Sequence, residues 1–409
     1  MKEIKLIIPQ KKSMQLSELP IWKEMLHTLE IFDARTIAFA NSLAIRILRD
    51  KTLGREVPFV ALAYWLRKSS LQRIIEQNGH LIQQPNIKVV PLGTVFHVCP
   101  SNVDTMFVYS LVLSLLMGNR NILRLSSKTE DDQIVYLFGL INAEIQESAP
   151  FLTDYINIVS YERDDEINRY ISGKVNARVL WGGDVTARTF KNINENVRSR
   201  DIVFSDRISM TLIEAESFIA LDEKEKQTLA KSFFNDAYTF DQKGCSSPQK
   251  VLFMGSAEAC DTCMNSFFAM VDQVAAREYR QDIFSLASMK YNQLVTDIIE
   301  HKVKKYTVFS NRLYAVSGLG NNGSLHSCGG GYFEVRTITN VSEIVKMVDT
   351  RYQTISYFGI NEEQINIIAT QTVGKGVDRI VPVGRSLEFN YIWDGYNLIT
   401  ELCSVKMLL

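Results

Sequence analysis

From Ile87 onward the chain alternates short β-branched runs with amphipathic helical stretches, an order that few folds accept. "IKVVPLGTVFHVCP" reads as two strands, and a helix is predicted from Val103 to Met117. "NILRLSS" reads as a strand ahead of a helix that opens at Glu130. "YINIVS" and "ARVLWG" read as strands, each followed by a helix, in "RDDEINRYIS" and "DVTARTFKNINENV". A second series begins near Ile208, with a helix over Ala257–Ala276, strands around Tyr314 and Phe333, and a further strand in "YQTISYFGI". Such alternation predicts parallel sheets with helices on both faces. Residues up to about Gln84 read as helical, from the three- and four-residue spacing of apolar positions in "EMLHTLEIFDARTIAFANSLAIRILRD". The expected fold is α/β, with two parallel-sheet lobes and a returning tail, bounded at 1–207, 208–384 and 385–409.

Charge and cysteine usage narrow the function. Lys and Arg total 45 against 46 Asp and Glu, so no basic excess invites nucleic acid. The longest apolar run, Phe107–Gly118, falls short of the ~20 residues of a membrane span and reads as a buried helix. Six cysteines are scattered without a disulfide framework, and a reduced, cytoplasmic protein is the expectation. The histidines form no cluster, and no metal site is expected.

One of those cysteines sits in "FDQKGCSSPQKVLF". A thiolate at Cys245 is a good nucleophile toward a thioester or aldehyde carbon. Gly244 lets the backbone approach a substrate, and Pro248 stiffens the turn that follows. A small buried core residue is the competing interpretation. "CDTC", Cys260–Cys263, lies in a helical pattern without a second pair at metal spacing and reads as core. "GLGNNG", Gly318–Gly323, has the letters of a dinucleotide fingerprint but no helix after it, and reads as a flexible loop. In "WGGD" a strand runs through Gly182 and Gly183 into a helix start, where free amides receive a phosphate or merely form a turn. Asn102, in "PLGTVFHVCPSNVDT", is either an oxyanion donor or a helix cap.

Together these segments resemble the aldehyde dehydrogenase superfamily, and within it the LuxC-type fatty acyl-CoA reductases. "PLGTVFHVCPSN" resembles the element whose asparagine lies in the oxyanion hole, which implies that role for Asn102. "GNRNILRLSS" resembles the strand beside the adenosine end of the cofactor, with Arg124 in place of a lysine and Ser127 in place of a glutamate. "WGG" resembles the turn that receives the diphosphate, "DQKGCSSPQ" the segment around the nucleophile, and "YNLITELCSVKML" the oligomerisation tail. Two positions depart from the pattern. "FSDRIS" puts Phe204 where hydrolytic relatives carry a glutamate base, and Glu334 in "CGGGYFEV" does not align with the glutamate that holds the nicotinamide ribose.

The resemblance implies an aldehyde-dehydrogenase-like fold and a long-chain acyl-CoA reductase that proceeds through a Cys245 thioester. Asn102 would stabilise the oxyanion, and Arg124, Ser127, Lys128, Gly182 and Gly183 would bind the cofactor. The missing glutamate, with Arg124 and Lys128 nearby, implies NADPH, with NADH as the alternative. A homo-oligomer and an acyl-donor protein are the implied partners. Competing functions are a reductase of short or aromatic acyl-CoA or of an acyl phosphate, and a cofactor-independent acyltransferase or thioesterase.

Overall fold

A computed structural model describes residues 2–24, 28–82, 85–99, 105–126, 132–193, 196–318 and 327–408. The chain forms two units, one of Met1–Asp206 with Phe389–Leu409 and the other of Arg207–Glu388.

The first unit is built on strands β1 (Glu3–Ile8), β2 (Lys12–Gln15), β4 (Thr94–Val98), β5 (Arg120–Ser126), β6 (Ile156–Tyr161), β7 (Ala177–Trp181) and β8 (Arg200–Phe204). They form one sheet in the order β2-β1-β6-β5-β4-β7-β8, parallel from β6 to β8. Every residue of β7 is buried, as expected of a strand covered on both faces. The hairpin β1–β2 corrects the helical expectation for the N-terminal region. Ile4, Leu6 and Ile8 point inward while Glu3 and Lys5 stay exposed, and β1 adds antiparallel to the free edge of β6. Helices do follow, at Ala34–Arg49, Val57–Leu66 and Lys68–Ile82, the first capped by the Asp33 carboxylate, which accepts from Arg35 N. The apolar helix Met106–Leu116 is buried at every residue. No helix among the described residues is long and apolar enough to cross a membrane.

β3 (Ile87–Pro91) does not join this sheet. The seven strands of the second unit are β9 (Ile208–Glu214), β10 (Pro248–Met254), β11 (Val303–Ser310), β12 (Leu313–Gly318), β13 (Tyr332–Ile338), β14 (Tyr352–Phe358) and β15 (Arg379–Pro382), in the order β11-β12-β13-β10-β9-β14-β15. Among the described residues of this sheet, only the edge strand β11 is antiparallel to its neighbour. Phe233, Phe253, Phe267, Phe268 and Phe333 are fully buried in its core. Cys260 and Cys263 lie in that same core, on the helix Ala257–Glu278, and burial pushes both thiols up, Cys260 to about 11.

The tail, after a short hairpin of β16 (Ile392–Trp393) and β17 (Tyr396–Asn397), ends in β18 (Cys403–Met407). β18 pairs antiparallel with β3, so the two strands read in "IKVVPLGTVFHVCP" belong to different sheets. Arg200 Nη1 donates to the carbonyls of Glu401 (2.9 Å) and Cys403 (2.8 Å), and Asn119 Nδ2 to that of Leu402 (2.8 Å).

Candidate active site

In the second unit the helix Glu223–Tyr238 runs out into a turn that ends at β10, and Cys245 sits in that turn, half-buried between buried Gly244 and Ser246. The turn is closed by Ser247 N donating to Gly244 O (2.9 Å). A Cβ at Gly244 would come within 3.0 Å of Ser247 Oγ, so the glycine permits the tight turn beneath the thiol. Asp241 and Gln242 have φ of 50° and 60°, a conformation uncommon outside glycine. The buried Gln242 side chain compensates: its Oε1 accepts from Gly331 N (2.7 Å) and Tyr332 N (3.1 Å), and its Nε2 donates to Pro248 O (3.1 Å). Gly330 N donates to Asp241 O (3.2 Å), and buried Lys290 Nζ donates to Gly330 O (2.7 Å). Desolvation lowers Lys290 to about 8. The glycine run before β13 is thus a brace for the cysteine turn.

Three parallel strands meet this turn at their amino ends. β10 follows the cysteine directly, and its neighbour β9 carries Ser209, whose hydroxyl donates to Cys245 O (2.6 Å). β14, on the far side of β9, carries Gln353, only 2% exposed, whose Nε2 donates to Cys245 Sγ (3.4 Å). Gln353 Oε1 accepts from Ser246 Oγ (2.8 Å) and Thr354 Oγ1 (3.3 Å). Glu334, whose role the sequence left open, is engaged elsewhere in this unit. It forms a buried ion pair with Lys250 (2.9 Å) and a second with Arg336 (2.7 Å). Burial pushes the thiols of Cys99, Cys328 and Cys403 up, Cys328 to about 11.

The first unit contributes a reversal of strand order rather than a braced turn. β5 and β6 lie on one side of β4, and β7 and β8 on the other, so the strand order reverses between β4 and β7. In open parallel sheets such a reversal leaves a ligand crevice beyond the carboxyl ends of the strands. The segment holding Asn102 follows β4, and Gly182 and Gly183 follow β7. Asn102 lies outside the described residues, as do Ser127, Lys128 and most of Gly318–Gly323. Gly183 is the N-cap of the helix Asp184–Lys191. The first helical amide there, Asp184 N, already donates to the Asp206 carboxylate (3.2 Å). Near the end of β5, Arg124 lies with its guanidinium 4.8 Å from the centre of the Tyr161 ring. Its Nε is buried and has no hydrogen-bond partner among the described residues.

The sequence profile of the acyl-CoA reductase (LuxC) family matches residues 39–405. The chain belongs to that family. No curated protein matches the LuxC-family chain significantly. Solved structures similar to it include the aldehyde dehydrogenase KauB of Pseudomonas aeruginosa, at 12% identity and a TM-score of 0.63, covering 91% of this chain and 82% of that one. The 1-pyrroline-5-carboxylate dehydrogenase of Thermus with bound NAD is similar at 11% identity and 0.62, covering 91% and 80%. Lactaldehyde dehydrogenase of Escherichia coli is similar at 13% identity and 0.60, covering 91% and 84%. The LuxC-family chain therefore has the aldehyde dehydrogenase fold.

Phe204 is buried at the end of β8 and stacks on Trp181 at 3.8 Å, in an aromatic group that includes Tyr109, Trp393 and Tyr396. Sequence inspection missed Ser209, Gln242 and Gln353. Their common signal is a polar residue at an otherwise apolar or tightly turned position, such as the glutamine heading "YQTISYF".

Proposed function

We propose that this LuxC-family protein reduces a long-chain fatty acyl-CoA to the aldehyde through a thioester on Cys245, with NADPH as reductant. The main support is the family match, joined to a half-buried thiol whose turn is braced on several sides within one unit. In the first step the Cys245 thiolate forms a bond to the thioester carbon. The carbonyl electron pair moves onto oxygen, then re-forms the double bond as coenzyme A leaves as a thiolate. The Cys245 backbone N–H and the Asn102 amide would donate to the transient oxyanion. The role of Asn102 rests on its motif.

The first unit is the proposed cofactor domain and the second the catalytic domain. Reduced nicotinamide, when bound, supplies the hydride that releases the acyl group as aldehyde. Arg124, a cationic donor whose buried Nε has no hydrogen-bond partner among the described residues, suits a phosphate, and Ser127 and Lys128 follow it in the chain. Gly182 and Gly183 would take the diphosphate, sharing the helix start with the Asp206 carboxylate. Phe204 carries no proton acceptor, so it would leave water poorly activated and the acyl-enzyme long-lived. A homo-oligomer built through the tail, an acyl-donor protein partner and a cytoplasmic location complete the proposal.

Incubation with a long-chain acyl-CoA and no cofactor should add one acyl mass to the peptide containing Cys245. Cys245→Ala should abolish both the adduct and NADPH oxidation, while Cys260→Ala and Cys263→Ala retain most activity. An adduct on another residue would overturn the mechanism. Rapid fatty-acid release without cofactor would favour a thioesterase.

A further inference from the structure

Cys245 Sγ meets a side chain that neither the motif around the cysteine nor the acylation chemistry accounts for. The Gln353 amide reaches it from β14, 108 positions further along the chain. We propose that Gln353 is a catalytic residue of the acylation step, its amide N–H donating to the Cys245 sulfur and stabilising the thiolate that attacks.

Three observations carry this. Gln353 is 2% exposed, so its amide meets the sulfur with little competition from water, and a hydrogen bond to an anion is stronger there. Its oxygen end accepts from the hydroxyls of Ser246 and Thr354, which sets the amide's orientation and puts the nitrogen end against the sulfur. Ser246 belongs to the same turn as the thiol, and Ser209 of β9 donates to the Cys245 carbonyl while accepting from Thr354 N (3.2 Å). Donor, sulfur and turn are thus one hydrogen-bonded assembly at the amino ends of three adjacent strands.

The chemistry balances without a further reactant. The thiol proton passes to solvent as the thiolate forms. The new sulfur–carbon bond is then made as the bond from the acyl carbon to coenzyme A breaks, and the departing thiolate takes the electron pair. Gln353 gives up no proton. Its bond weakens as sulfur loses negative charge, so it acts on the fraction of enzyme that is ready to react.

The proposal rests on the nucleophile assignment above, and its test needs no acyl-CoA. The pH dependence of Cys245 alkylation by iodoacetamide is followed by mass spectrometry of its peptide, in the unmutated protein and in Gln353→Leu. Loss of one hydrogen bond to a charged group should raise the midpoint by about one pH unit. A more basic thiolate is also the better nucleophile, with a slope of about 0.4–0.5. The variant should therefore react about threefold more slowly at pH 7 yet about threefold faster on its alkaline plateau. A merely structural loss would not cross the two curves. Gln353→Glu should raise the midpoint further, and Gln353→Met carries the test if Gln353→Leu does not fold. Superimposable profiles for unmutated and apolar variants would overturn the proposal. A shifted midpoint in a protein that takes no acyl group from acyl-CoA would uphold the donor while refuting the reductase function.

Discussion

His97 makes stability depend on pH in a way that can be calculated. The ring is fully buried on β4 between Ser110 Oγ at Nδ1 (2.7 Å) and Asn121 Oδ1 at Nε2 (3.0 Å). Asn121 Nδ2 is committed to Asn119 O (2.8 Å), so the Asn121 oxygen accepts from a protonated Nε2. Trp181 Nε1 donates to Ser110 Oγ (3.2 Å), which frees the Ser110 hydroxyl to donate to Nδ1. A second ring proton would meet that hydroxyl in a dry site, and desolvation lowers His97 from 6.5 to about 4. The unfolded chain therefore binds the proton more tightly between those values. The stabilisation is complete above pH 6.5 and is lost as pH falls toward 4. From pH 7 to pH 5 the loss should be about 2 kcal/mol. All four tryptophans, Trp22, Trp65, Trp181 and Trp393, lie in the first unit, so fluorescence during urea unfolding reports on that unit alone. His97→Gln should remove the extra slope, so that the unmutated protein loses about 2 kcal/mol more than the variant over this interval. Parallel slopes, within about 0.3 kcal/mol, would refute a neutral, fully hydrogen-bonded His97.

Two further perturbations probe the two units. Arg124→Ala should raise the KM for NADPH about tenfold while leaving that for NADH nearly unchanged, as loss of a phosphate partner demands; equal effects on both cofactors in steady-state assays would refute the assignment. Gly331→Ala places a Cβ 1.9 Å from Arg312 O at a φ of 92°, so the brace behind the cysteine turn must shift. A loss of about 2–4 kcal/mol in denaturant unfolding is expected, and a stability within about 0.5 kcal/mol of the unmutated protein would count against that packing.

The parts of this fold that were legible in the sequence are those set by local periodicity. The buried run "ARVLW" and the apolar stretch ahead of Gly118 are continuous hydrophobic signals, and they became β7 and a buried helix. The cysteine turn was visible because Gly244, the two serines and Pro248 are neighbours in the chain. What was not legible depends on partners far away in sequence. β1 alternates over too few residues to outweigh the helical pattern after it, and the open edge of β6 decides its state. β3 reads like any strand, yet its partner is the C-terminal β18. Gln353 looks like one polar residue in a strand until the sheet order brings β14 beside β9. The partner of Glu334 was not legible either, because Lys250 comes opposite it only through the register of the adjacent strand.

The pairing of β3 with β18 also has a meaning for synthesis on the ribosome. The second unit, Arg207–Glu388, is inserted between the two segments of the first. It can emerge whole and condense while the earlier unit still lacks its closing strand. At about 5–20 residues per second, the edge of β3 would wait roughly 15–60 s for β18 to leave the exit tunnel. During that interval a β-branched strand with open backbone groups is a template for wrong pairing. A truncation that removes β18 would leave that edge open for good.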